Sequence, residues 1–476
     1  MTAGSSLRAL ARLAWREAAR HPGRSLLVAS ALALPTAMLA SATVVLRYGD
    51  LAASGSFGMS NLFMLVFLPI VAVAALTAAA ALGVGARRQL RELGLLAAAG
   101  GGGRHLGGLV LLQGFGVGLV GGLAGIPLGL AVTWATLPLS RSWLSPVRDE
   151  TGALLVPRFS VVGRDMAWTA AFAVVLALLT ALRPAITAAR VPVAMALAGR
   201  RPGRRLRPRL VAIGLAVAVT GLALQVAANV LAARGVVLPV QLELLAFGSF
   251  RSIPSPLVVT LAGMALCTPA LVALCGRLVP ARPAALRLAA RDAARNPGRT
   301  GPAVTAVAAG LGMLVVLAGL ASLPDTRSSG LLVPGEAGYL VQPPAPGFPP
   351  ALRVLLAIFT VLTVAVVLTV NALGRAEARD DLAVLELLGA SPRTHRALAA
   401  ASAWLLTELG ALVGALAGLS PVLVERLNRW QWAPFPMDVP WATLALVVLA
   451  VPAVAAGAAA LAASRPVHYP TGRRPA

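Results

Sequence analysis

The chain has 476 residues, 58% of them hydrophobic, with a mean hydropathy of +0.82. One water-soluble core cannot hide that much apolar surface, so a bilayer has to serve as the solvent. Its 41 basic residues against 17 acidic ones leave a charge of +24, and all 41 are arginine, because the sequence contains no lysine. The arginines stand in short stretches between long apolar runs rather than among stacking aromatics, which argues against nucleic acid and for membrane lipids as a partner.

At the start of the chain Arg8, Arg12, Arg16 and Arg20 recur every fourth residue, followed by Pro22 and Arg24. That spacing draws one cationic stripe along a helix, with Leu7, Leu10 and Leu13 turned elsewhere. The apolar run 25–46 follows a basic start as a secretory signal core would. Its length suits a first membrane span better, with cleavage near residues 40–42 as the alternative. Further charge-free windows cover 51–86, 105–140, 166–182, 210–233, 252–276, 300–324, 354–374, 397–424 and 439–464. Crossing about 30 Å of hydrocarbon takes about 20 helical residues, so ten spans is the natural count. Window 166–182 is at the short limit, and 397–424 qualifies only if Glu408 is tolerated. Barrel strands would alternate in segments of about ten residues, and no such pattern occurs, so the expected fold class is an all-α polytopic membrane protein.

Several residues along these windows take a structural reading. Cys267 and Cys275 stand eight apart in one apolar run, about 12 Å in helical rise, too far for a disulfide. Trp430, Trp432 and Trp441 read as an interfacial belt. Glu408 is the one acid well inside a window. A central charge costs about 2.5–3.5 kcal/mol on insertion scales, so it should face the bundle, be protonated or pair. A structural partner is the first reading, with a proton or substrate role as the other.

With the amino terminus in the cytoplasm, the inner segments carry 30 of the 41 arginines and the outer ones 11, while the acids divide 7 inside, 9 outside and Glu408 within the membrane. Arginine bias of this kind places both termini in the cytoplasm.

Two stretches repeat. REAARHPGRS, residues 16–25, lies over RDAARNPGRT, residues 291–300, at an offset of 275, with seven identities in ten. ELGLLAAAGGGGR, residues 92–104, lies over DLAVLELLGASPR, residues 381–393, at an offset of 289. The first pair precedes the first and seventh spans, and the second follows two spans later. Spans one to four therefore correspond to seven to ten, with two between. Six spans separate equivalent helices, an even number, so the duplication is parallel, about an axis along the membrane normal. The expected organisation is a four-helix unit over 1–200, a two-helix linker over 201–280 and a second four-helix unit over 281–476, a 4 + 2 + 4 arrangement. In the second unit Arg287, Arg291, Arg295 and Arg299 repeat the cationic stripe around Pro297. Both stripes call for a helix lying along the inner interface. It serves either as a headgroup-facing surface or as an elbow that moves the adjoining span.

At these residues the chain resembles the FtsX-like permease family, the membrane subunits of ABC transporters of the MacB and lipoprotein-releasing type. Its pattern is an amphipathic segment ending like R-N-P-x-R-T before the first span, then an inner loop like R-R-E-I-G-x-L-R-A-L-G-A-S-R-R after the second. Here the first motif stands as RHPGRS and RNPGRT. The second stands as Arg91, Glu92, Leu93, Gly94, Leu95, Leu96 and Gly100, and again as Asp380, Asp381, Leu382 and Leu388-Gly389-Ala390-Ser391. The resemblance covers both four-helix units. It implies a permease whose inner loops, with Arg91, Glu92, Gly100 and Arg104 in one unit and Asp380, Asp381, Gly389 and Arg393 in the other, dock two copies of a separate ABC ATPase. ATP and Mg would then bind on that partner. The alternative for loop 87–104, a charged start, a leucine-rich middle and a glycine break, is a short helix resting on the inner leaflet.

Family members often carry a large extracellular domain after the first span of a unit. Here segments 47–61 and 324–353 are short, and the second holds PPAPGFPP, which speaks against functions built on such a module. ATP chemistry does not belong to this chain, since a Walker A loop needs a lysine after its glycines. His21, His105, His395 and His468 are scattered without metal-ligand spacing. The expectation is therefore a non-enzymatic permease with no cofactor of its own, exporting or extracting a lipid, peptide or hydrophobic compound. The rival readings are an ion-coupled carrier using Glu408 and a non-transporting membrane sensor or scaffold.

Overall fold

The computed structural model describes residues 12, 14–16, 19, 22–52, 102–141, 147–148, 154–155, 161–189, 208–233, 254–278, 283–321, 332–335, 338–341, 350–387, 389–429 and 439–463. The described residues form α1 (Pro22–Ala52), α2 (Gly103–Arg141), α3 (Gly163–Ala189), α4 (Pro208–Ala233), α5 (Pro254–Leu278), α6 (Ala284–Arg295), α7 (Pro297–Ala321), α8 (Pro350–Leu387), α9 (Pro392–Arg429), α10 (Trp441–Ala445), a π-helical turn (Leu446–Ala450) and α11 (Val451–Ala463). Two short antiparallel strand pairs accompany them: β1 (Val147–Arg148) with β2 (Leu154–Leu155), and β3 (Leu332–Gly335) with β4 (Gly338–Val341). Six of these helices open on proline, where the missing N–H is one that no helix would satisfy.

Nine helices among the described residues are long and apolar enough to cross a membrane, counting Trp441–Ala463 as one. Each coincides with an expected window. The remaining window, 51–86, lies outside the described residues. The last span reaches its length through the π-helical turn, just ahead of Pro452, which has no N–H to donate to the carbonyl four residues back.

Burial ranks the helices. The α7 span is 94% enclosed and that of α1 78%, against 17% for α4. α1 and α7 are the helices that the offset of 275 superposes. α8 packs against both, so that Ile358, Phe359, Leu362 and Val366 join Leu34 and Met38 of α1 to Leu311, Leu314 and Leu317 of α7 in one core. α4 packs on α5, where Gln225 Nε2 donates to Thr260 Oγ1 at 3.1 Å and Cys267 Sγ donates to the Val211 carbonyl at 3.6 Å. α5 in turn packs on α7, where the Thr268 and Thr305 hydroxyls meet at 2.9 Å. Both cysteines are free thiols.

The closest helix approaches recur in the two parts of the chain. In α2, a Cβ at Gly121, Gly125 or Gly129 would run into the carbonyls of Ala29, Ala33 and Ala37 of α1. In α9, a Cβ at Gly410, Gly414 or Gly418 would meet the carbonyls of Val304, Ala308 and Gly312 of α7. The glycines are related by 289 and their partners by 275, the two offsets that the motifs give. Small residues every fourth position let apolar helices touch backbone to backbone, the main source of association where lipid removes the hydrophobic drive. Thr36 Oγ1 donates to the Gly122 carbonyl at 2.8 Å, and Ser41 Oγ to that of Gly129 at 3.0 Å, across the first of these interfaces.

Candidate functional site: elbow, inner turn and intramembrane carboxylate

α6 is a 12-residue helix with two distinct sides. Ala289, Ala290 and Ala293 are buried, the latter two in a cluster with Val272 of α5, Val304 of α7 and Leu405 of α9. Arg291 and Arg295 are exposed and Arg287 is partly buried. Asn296 closes the helix, its side chain donating to Asp292 Oδ1 at 2.9 Å, and Pro297, partly buried, opens α7 directly after it. Thr300 Oγ1 donates back across this break to the Ala293 carbonyl at 3.2 Å. α6 is therefore pinned to the head of a span, with its apolar side on protein and Arg291 and Arg295 outward. Arg299 lies in the first turn of α7.

The equivalent amino-terminal stretch agrees where it is described. Residues 12, 14–16 and 19 are helical, Ala14 is buried, and Arg12 and Arg16 are exposed. At the offset of 275, buried Ala14 falls on buried Ala289 and exposed Arg16 on exposed Arg291. Pro22 and Arg24 belong to the first turn of α1, while Arg20 lies outside the described residues.

The connection between α8 and α9 takes a form that charge counting alone does not anticipate. α8 does not end with its span at Arg375 but continues to Leu387, a rise of about 18 Å at 1.5 Å per residue. Asp380 and Asp381 stand on this extension. Near its base Arg375 Nη1 donates to the Ala458 carbonyl of α11 at 3.3 Å. The chain reverses at Gly389, where φ is +84°, a conformation that glycine adopts without strain. Ser391 Oγ then accepts the Thr394 N–H at 3.3 Å, Pro392 opens α9, and Arg393 is exposed in its first turn. In the first unit Arg104 lies in the first turn of α2, while Arg91, Glu92 and Gly100 lie outside the described residues.

Glu408 stands at the midpoint of the α9 span Pro392–Val424 and is partly buried. Thr407 beside it faces inward and accepts a hydrogen bond from Asn371 Nδ2 of α8 at 3.0 Å. Glu408 shares the other side of the helix with Trp404, Leu412 and Leu416, all exposed. No hydrogen bond or ion pair to its carboxylate is found among the described residues. Nor do three His, Cys, Asp or Glu side chains converge there in a way that could hold a metal.

The sequence reading passed over the two glycine ladders, the Asn371–Thr407 pair and Trp404. The ladders did leave a signal, small residues every fourth position at the same offset of 289 in two spans. The Asn371–Thr407 pair left none, because two polar residues 36 apart do not announce that they meet.

Long apolar helices and a duplicated backbone-to-backbone packing define a multi-pass helical membrane protein. The family model of the FtsX-like permease C-terminal region matches residues 62–193 and again 353–471. The chain belongs to the FtsX-like permease family, permease-type membrane subunits of the ABC-transporter kind, and it carries two units of it. No curated protein gives a match to the chain.

Proposed function

We propose that this permease couples a separate ABC ATPase dimer to the export or extraction of a lipid, peptide or hydrophobic compound. The observation that carries the reading is the repeated ladder, α1 against α2 and α7 against α9, at the offsets of the two motif pairs. It supports a parallel 4 + 2 + 4 organisation with units over 1–200 and 281–476 and both termini in the cytoplasm. Two such units present two equivalent inner connections, which suits a twofold motor. Closure of the ATPases around ATP and Mg would push on Arg91, Glu92, Gly100 and Arg104 in one unit and on Asp380, Asp381, Gly389 and Arg393 in the other. The α8 extension then acts as a lever, because no break separates it from its span. The elbows at Arg16, Arg20, Pro22 and Arg24, and at Arg291, Arg295, Pro297 and Arg299, ride on the inner lipid surface. There each arginine near anionic lipid contributes about 1 kcal/mol.

Purification from native membranes tests the reading. An ATP-hydrolysing subunit should accompany the chain, and Arg91→Glu with Asp381→Arg should abolish transport. Absence of that subunit, together with intact transport in the double variant, would sink it. Transport that survives ATP depletion but stops in Glu408→Gln would favour an ion-coupled carrier instead.

A further inference from the structure

Glu408 lies well inside the α9 span, away from the turn at Gly389, and its surroundings point to a different role. The other directions around α9 are occupied. Ala403 packs toward α11, Leu405 toward α5, α6 and α7, Thr407 toward α8, and Gly410 and Gly414 toward α7. Glu408 lies between Trp404 and Leu412, one turn to either side, on a stripe that continues to Leu416, and all three are exposed. α4 and α5 flank α9, as do the π-helical turn and α11. In a membrane protein an exposed apolar stripe at mid-span faces lipid.

The duplication supplies a control. The offset of 289 that brings Gly121, Gly125 and Gly129 onto Gly410, Gly414 and Gly418 also brings Leu119 onto Glu408 and Phe115 onto Trp404. Leu119 and Glu408 are both partly buried. The same helix position is thus filled by a neutral side chain in the sister unit, and helix packing does not demand the acid. An uncompensated carboxylate at the bilayer centre is costly, so in its ionised form it favours a cation that comes from outside the packing among the described residues.

We propose that Trp404 and Glu408 form a lateral, lipid-facing site for an organic cation, an amphiphile with an ammonium-like head that arrives through the bilayer. Residues four apart on a helix stand about 5–6 Å from each other, so one cationic head reaches both. The carboxylate supplies the charge, the indole face supplies a cation–π contact, and Leu412 and Leu416 receive the apolar tail. As a statement about cargo this rests on the permease reading, but the binding itself needs no ATPase.

The test uses the full chain in nanodiscs of zwitterionic lipid, without ATPase, and two probes of one shape and opposite charge, tetraphenylphosphonium and tetraphenylborate. Tetraphenylphosphonium should bind saturably, and Glu408→Gln and Glu408→Leu should weaken it about tenfold or more. Trp404→Leu should weaken it less, and tetraphenylborate should be insensitive to all three. Glu408→Leu installs the sister unit's residue and should melt no lower than the parent chain, so lost binding would not be lost fold. Equal binding of both probes, or parental tetraphenylphosphonium binding by Glu408→Leu, overturns the site. So does a co-purifying membrane protein that Glu408→Leu strips away while cation binding is unchanged, which would make the stripe a helix-docking face. Failure here leaves the ATPase reading standing, and a missing ATPase leaves the binding result standing.

Discussion

A single methyl group separates a glycine that packs from one that is merely present. A Cβ at Gly414 would meet the Ala308 carbonyl and the Gly312 backbone N, and one at Gly125 the Ala33 carbonyl and Thr36 Oγ1, whereas at Gly116 it would meet nothing within 4 Å. Overpacking of a tight contact costs about 1–3 kcal/mol, while glycine to alanine at an open helical site gains up to about 1 kcal/mol. Gly414→Ala and Gly125→Ala should therefore lower the melting temperature of the detergent-purified chain, and Gly116→Ala should hold or raise it. A Gly414→Ala protein that melts with the parent would show that α7 and α9 do not touch backbone to backbone. Asn371 and Thr407 call for a smaller figure, because interhelical hydrogen bonds in membranes average about 0.6 kcal/mol and reach about 1.7. Asn371→Leu and Thr407→Val should each cost about that much, and the double variant little more than either. A double variant that costs the full sum would mean that the two side chains do not share one bond.

At the scale of elements, what the sequence made legible was where apolar runs begin and end. Nine described helices answer to nine windows, because a span is defined by charge-free length, a property of the chain alone. The four-residue arginine spacing likewise foretold the two sides of α6, since periodicity and burial are the same fact seen twice. Charge does not mark where a helix stops, however. The acidic run at Asp380 and Asp381 marks an exit from lipid, yet hydrogen bonding carries α8 on to Leu387. The outward aspect of Glu408 was equally hidden, because 3.6-residue phasing becomes a direction only once the neighbouring helices are in place. The turn at Gly389 then becomes testable. A side chain other than glycine at a left-handed φ costs about 1–2 kcal/mol, and asparagine tolerates that region better than most. On the proposed coupling, Gly389→Val should reduce the ATP hydrolysis of a co-purified ATPase, and Gly389→Asn should retain most of it. Equal activity in the two variants would remove the turn from the coupling path.

The whole molecule carries two units of the family in one 48.3 kDa chain, and the proposed function assigns a twofold motor to them. The two glycine ladders fix α1 on α2 and α7 on α9 in the same way, and α8 bridges α1 and α7 through a shared core. The two ladders are thus joined by packing as well as by the stretch of chain that carries α4 and α5. On the proposed coupling, one chain already offers a docking point for each subunit of an ATPase dimer, and a second copy of the chain would bring two more than the dimer needs. On the proposed orientation, the arginine excess of the inner segments would hold every one of these connections on the same side of the membrane. Native mass spectrometry of the intact complex should accordingly find one permease chain with two ATPase subunits. Single charge reversals at Arg91 or at Asp381 should each leave part of the stimulated hydrolysis, and the pair should leave none. A complex of two permease chains with two ATPases, or full stimulation after either unit's connection has been reversed, would mean that one chain does not present both docking points.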